Sequence, residues 1–101
     1  MHDGPVSEGD AWLAATVPLI LRSPAFRTTR SLLVVTWDEG TALDNHVATI
    51  LAGSAAGRGV SSALPYDHYS LLRTEEELLG LRPMTAHDAR ATPMDALLSA
   101  K

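Results

Sequence analysis

The sequence predicts a small α/β domain with few strands and flanking helices, and three observations carry that reading. The run from Ser31 to Trp37 is apolar and β-branched, then stops at Asp38, Glu39 and Gly40. A second apolar run, Val47 to Ala52, follows a short polar loop. On either side stand stretches with apolar residues at helical spacing, one around Trp12 to Leu21 and one from Leu71 to Leu79.

At 101 residues and 46% hydrophobic, the chain is long enough for one small domain and too short for two. Its formal charge of −4 and the lack of any Lys/Arg cluster argue against nucleic acid as a partner, because binding to a phosphate backbone is driven by basic patches. No segment has the apolar length of a membrane span. Residues 11 to 21 resemble a signal-peptide core, but Asp3, Glu8 and Asp10 precede them where a basic flank belongs, so no targeting signal is read. With no cysteine, thiolate catalysis and cysteine-based zinc sites are excluded, and the redox compartment stays open.

In chain order, residues 1 to 5 are too polar and turn-rich for regular structure. Gly9 and Asp10 are placed to cap a helix whose Trp12, Leu13, Val17, Ile20 and Leu21 share one broad face. Pro18 either kinks that helix or opens a second short one ending before Ser23 and Pro24. Arg27 to Arg30 is a polar connection. Leu32 to Val35 shows no polar alternation, which predicts a strand covered on both faces. The Gly40 to Asn45 loop is too short for a crossover helix, so Val47 to Ala52 pairs antiparallel with the first strand or belongs elsewhere in the sheet. Gly53 to Gly59 reads as a flexible, small-residue loop. Asp67 is a helix cap and Gly80 a C-terminal stop for the helix between them, whose Leu71, Leu72, Leu78 and Leu79 form one face. Glu75 falls near the middle of that face, Glu76 at its border and Glu77 away from it; an acidic surface beside a leucine stripe explains Glu75 equally well. Residues 81 to 101 form a weakly patterned tail with a short helix from Pro93.

The chemistry-bearing group is Asp38 and Glu39 at the carboxyl end of a strand, where open α/β sheets bind ligands. Side chains alternate along a strand, but Gly40 lets the backbone leave that path at once, so both carboxylates can turn toward one ligand. With His46 at the start of the next strand, the set suits a divalent cation and an anionic substrate. Taken alone, the same two carboxylates read equally as a solvated acidic turn.

Taken together and in order, these segments resemble the carboxyl-terminal part of the phosphoesterase family that holds bacterial acid phosphatases and phospholipases C, within the alkaline-phosphatase-like superfamily. The likeness rests on His2-Asp3-Gly4, on Gly9-Asp10-Ala11-Trp12-Leu13, on Thr36-Trp37-Asp38-Glu39, on Asn45-His46-Val47, and on His68 to Thr74 with Glu76. It covers the chain to about Leu81, and the order of the motifs adds specificity that no single one has. The resemblance implies a partial three-layer α/β/α fold and hydrolysis of phosphate esters. It makes Asp38 and Glu39 ligands of a divalent metal ion, and His2, His46 and His68 the groups that contact or protonate phosphoryl oxygens. The family's Glu-Asn metal segment and Ser/Thr nucleophile have no counterpart here, so the chain is expected to need the missing amino-terminal half of the domain and to be inactive by itself. Ala48 and Glu75 depart from the usual pattern, and Arg73 reads as structural. Relatives are commonly exported, which is an expectation for the intact protein. The alternative is a small noncatalytic domain that binds a cation or a protein partner through the acidic edge.

Overall fold

The structure is a computed structural model that describes residues 3–100. It is mixed α/β, with four α-helices, a short 3-10 turn and a two-stranded antiparallel sheet among the described residues. The chain divides into two compact units, Met1–Ala55 and Ala56–Lys101. No helix among the described residues is long and apolar enough to cross a membrane.

In the first unit α1 spans Val6–Leu21 with Pro5 as its N-cap, so the expected cap at Gly9 and Asp10 is corrected: both lie inside the helix. Proline's fixed φ, here −70°, and its missing N–H suit a helix start, where an amide would have no partner in any case. Pro18 does not end the helix; its own carbonyl still accepts the Arg22 amide at 3.1 Å. Ser23 then caps α2, Pro24–Thr28, by accepting from the Phe26 amide at 3.3 Å, with Pro24 in the first turn. The second helix thus extends into Arg27 and Thr28, the start of the stretch expected to be a polar connection.

The strands β1, Leu33–Thr36, and β2, Thr49–Ala52, pair antiparallel with Leu33 opposite Ala52 and Thr36 opposite Thr49. Of the two placements expected for this segment the antiparallel one is formed, across a connection that carries no helix. At the register end the Thr36 and Thr49 hydroxyls are 2.8 Å apart, and Thr36 Oγ1 also donates to the Ala48 carbonyl at 3.2 Å. Every β1 residue is half-buried and Ile50 is 56% exposed, so the cover expected on both faces is not present among the described residues. The Gly53 to Gly59 loop is more closely built than its composition predicts. Gly53 has φ +112°, and a Cβ there would meet the Ser31 carbonyl and the Phe26 ring, while Ala55 is buried and donates its amide to Ser31 O at 3.0 Å.

In the second unit α3 spans His68–Leu79. Asp67 accepts from the Ser70 amide at 2.9 Å and Ser70 Oγ accepts in return from the Asp67 amide, while Gly80 ends the helix at φ +68°. The residues α3 buries are Ser70, Thr74 and Glu76. Glu75 is exposed and Leu79 is 71% exposed, which corrects the leucine-centred face. The tail is also ordered. Thr85 caps α4, Ala86–Arg90, a 3-10 turn runs Asp95–Leu97, and Met94 is buried with its amide donating to Thr74 Oγ1 at 2.8 Å.

Candidate functional site

Asp38 and Glu39 are exposed immediately past β1, as the strand-end motif predicts. Asp38 Oδ1 accepts from the Glu39 amide at 2.9 Å, which turns the chain out of the strand path within one residue. The loop then closes tightly on itself. Gly40 donates its amide to Asn45 Oδ1 at 2.7 Å, and Asn45 occupies the left-handed region at φ +50° while donating to the Ala42 carbonyl at 3.0 Å. A Cβ on Gly40 would stand 2.5 Å from the His46 carbonyl oxygen and 2.9 Å from its nitrogen. Glycine is therefore required at position 40, and its absent side chain is what allows the His46 backbone to lie against the acidic end of the strand. His46 is exposed, donates its amide to Asp44 Oδ1 at 3.4 Å, and precedes β2 by three residues instead of opening it.

Carboxylate oxygens are the ligands a hard divalent cation prefers, and such an ion takes about six. Asp38 and Glu39 fit that chemistry in kind and supply part of the number. Among the described residues no group of three histidine or acidic side chains is gathered tightly enough to hold a metal ion. The loop thus offers carboxylates of the kind a cation takes, without gathering a complete site among the described residues.

His68 is the first residue of α3, in the second unit, and is exposed. His2 lies outside the described residues. Arg73 pairs within its own helix, 2.6 Å from Glu77 and 4.0 Å from Glu76, in keeping with a structural role.

Two buried carboxyls in the second unit were only partly legible. Glu76 and Asp88 are 2% and 0% exposed, and both accept from the Met84 amide, at 3.0 and 2.7 Å. Burial raises the Glu76 pKa, reinforced by its hydrogen bond to Asp88. Burial works the same way on Asp88, but the Thr85 hydroxyl, the Met84 amide and Glu76 outweigh it and hold that carboxyl well below the usual range. The signal for Asp88 was present as Thr85-x-x-Asp88, a capping-box spacing, whose hydroxyl–carboxylate hydrogen bond is made.

Residues 1–82 match the Phosphoesterase family, a span that takes in β1, the Asp38 to His46 loop and α3. The chain belongs to the phosphoesterase family. Its similarity extends to the phosphatidylinositol-3-phosphatase of Mycobacterium tuberculosis (strain ATCC 25618 / H37Rv), 36% identical over 95 residues. That alignment covers 93% of this chain and 30% of the relative, so the chain spans about a third of the length of the curated phosphoesterase it matches. No solved structure matches the chain. The phosphoesterase match ends before α4, so the Thr85 and Asp88 cap lies outside it.

Proposed function

We propose that this chain is the metal- and phosphate-contacting carboxyl-terminal part of a metal-dependent phosphoesterase, of the acid phosphatase or phospholipase C type, and that it turns over phosphate esters only in company with the rest of the domain. The observation that carries this reading is the strand-end loop that exposes Asp38 and Glu39 just past β1 and leads on to His46, in a chain that belongs to a phosphoester-cleaving family. The relative's name brings phosphorylated inositol lipids forward as one substrate class to assay.

In this reading Asp38 and Glu39 would be among the ligands of a divalent cation, whose chemistry would be to neutralise charge on the phosphoryl group. His2, His46 and His68 are, in this reading and by the family likeness, each candidates for contacting or protonating phosphoryl oxygens. In this reading neither Thr36 nor Ser62 is the nucleophile. Thr36 Oγ1 is engaged with Thr49 and the Ala48 carbonyl inside the hairpin, and Ser62 Oγ accepts the Leu64 amide in an irregular segment without an adjacent base. The group that takes the phosphoryl, and the remaining metal ligands, belong in this reading to the part of the domain that the relative has beyond the matched third.

The test is an assay with a chromogenic phosphate monoester and with phosphatidylinositol 3-phosphate, with Mn²⁺, Mg²⁺ or Ca²⁺ supplied. The chain is used alone and mixed with the separately expressed remainder of a relative. Turnover in the mixture only, lost with Asp38→Asn, is the expected result. Robust turnover by the chain alone would make it a minimal phosphatase and overturn the requirement for a second part.

A further inference from the structure

Past the end of the phosphoesterase match the chain folds back on α3, and its ties run the length of that helix. Toward the carboxyl end Glu76 accepts the Met84 amide at 3.0 Å, and in the middle Thr74 Oγ1 accepts the Met94 amide at 2.8 Å. At the amino end the rings of Tyr69 and His87 stack, with centroids 5.1 Å apart and planes 24° from parallel. The element packed most closely on α3 is accordingly α4. Thr74, Glu76, Asp88 and Met94 are buried, so the first two ties belong to the core of the second unit. The third is different. Tyr69 is 44% exposed and His87 is exposed, so their stack buries little; what it grips is the first turn of the helix. That turn is closed by the Leu71 amide on the Asp67 carbonyl at 3.2 Å and by the Ser70 amide on Asp67 Oδ1 at 2.9 Å. Helix ends fray where such bonds are not supported from outside. His68 is the first residue of this turn and the chain neighbour of Tyr69.

We infer that His87 is a positioning residue for His68: by stacking on Tyr69 it holds the first turn of α3, and with it the backbone from which His68 meets a phosphoryl oxygen. The inference rests on the proposed role of His68 and adds the device that would keep it in place. Consecutive side chains on a helix point about 100° apart, so His87 acts on His68 through the backbone the two neighbours share. A group that hydrogen-bonds or protonates a reacting oxygen has to stand within hydrogen-bond reach of it, and a frayed turn would spread its position. The Thr74 and Glu76 ties anchor the tail on α3, and α4 is thereby placed to bring His87 over Tyr69. An aromatic ring at position 87 is what the stack requires, and its ability to take up a proton is not.

The test compares the unaltered chain with His87→Ala, His87→Phe and His68→Ala. In the chain alone, His87→Ala should speed amide exchange at Ser70 and Leu71 by about two- to tenfold, the equilibrium factor that one aromatic pair supplies. Exchange at Met94 should stay as it was, and His87→Phe should restore the first turn. In the mixture with the remainder of a relative, His87→Ala should lower kcat by about tenfold, short of the roughly hundredfold cost of a misplacement of about 1 Å, and leave KM unchanged. His87→Phe should recover that loss, and His68→Ala should lose activity outright. Unchanged exchange at Leu71 would overturn the inference, as would an equal acceleration at Met94, which would mean general loosening, or a failure of His87→Phe to rescue. Activity lost in His68→Ala but kept in His87→Ala would overturn the inference alone. Activity indifferent to His68→Ala would overturn the role of His68 and the inference with it. A mixture inactive even with the unaltered chain would overturn the proposed function, and exchange at Leu71 would then decide whether His87 holds the turn.

Discussion

Gly40 and Asn45 are joined across the loop by the Gly40 amide, which donates to the Asn45 side-chain oxygen at 2.7 Å and closes the loop that runs from Glu39 to His46. The left-handed φ of Asn45, +50°, makes the closure compatible with a non-glycine residue at only modest cost, because a short amide side chain tolerates that region. Position 40 has no such latitude.

Gly40→Ala should therefore destabilise the chain by about 1–3 kcal/mol, since the added methyl meets backbone atoms that cannot rotate away. Urea unfolding of the two proteins measures it. An unchanged midpoint would show that the loop is looser than its contacts imply.

The two strand-end carboxylates lead to a binding prediction. Mn²⁺, Mg²⁺ or Ca²⁺ should bind weakly to the chain, because Asp38 and Glu39 are a fraction of the ligands such a cation takes. Calorimetric titration should show heat that the double variant Asp38→Asn, Glu39→Gln lacks. Equal heats from both proteins would remove these residues from the metal site.

Glu76 and Asp88 predict a pH dependence with two opposite limbs. Glu76 has a folded pKa above its ordinary 4.5, so its contribution is complete below that value and is lost as pH rises through the folded pKa. Asp88 has a folded pKa below its ordinary 3.8, so its contribution is present above that value and is lost as pH falls toward the folded pKa. Thermal melting should show greatest stability of this pair in mildly acidic solution, with a decline toward neutrality that Glu76→Gln removes. A Glu76→Gln variant with the same decline would assign it to other groups.

Thr74 is 1% exposed; its hydroxyl donates to the Ser70 carbonyl at 2.7 Å and accepts the Met94 amide at 2.8 Å. Thr74→Val keeps the shape but leaves a buried amide unsatisfied, at a cost of about 1–3 kcal/mol. Chemical denaturation gives that difference, and hydrogen exchange at Met94 should accelerate with it. Protection of the Met94 amide unchanged by the substitution would refute the assignment.

What the sequence alone determined was whatever is decided within a few residues. Asp67 and Gly80 bound α3 because a cap needs only an oxygen three residues from an open amide, and a left-handed stop needs only a missing Cβ. The β-branched run up to Thr36 specified a strand, the short connection after it left antiparallel pairing as one of two placements, and the ordered motifs specified the family. Tertiary structure decided which carboxylate is buried. Helical periodicity favoured Glu75, yet Glu76 is enclosed because its partners, the Met84 amide and Asp88, come from eight and twelve residues away. It likewise decided that Gly40 must lie against the His46 backbone, since close approach depends on where other segments pass. Local preference costs or gains fractions of a kcal/mol per residue, whereas burying an ionisable group or leaving an apolar face uncovered turns on larger energies that only distant contacts supply.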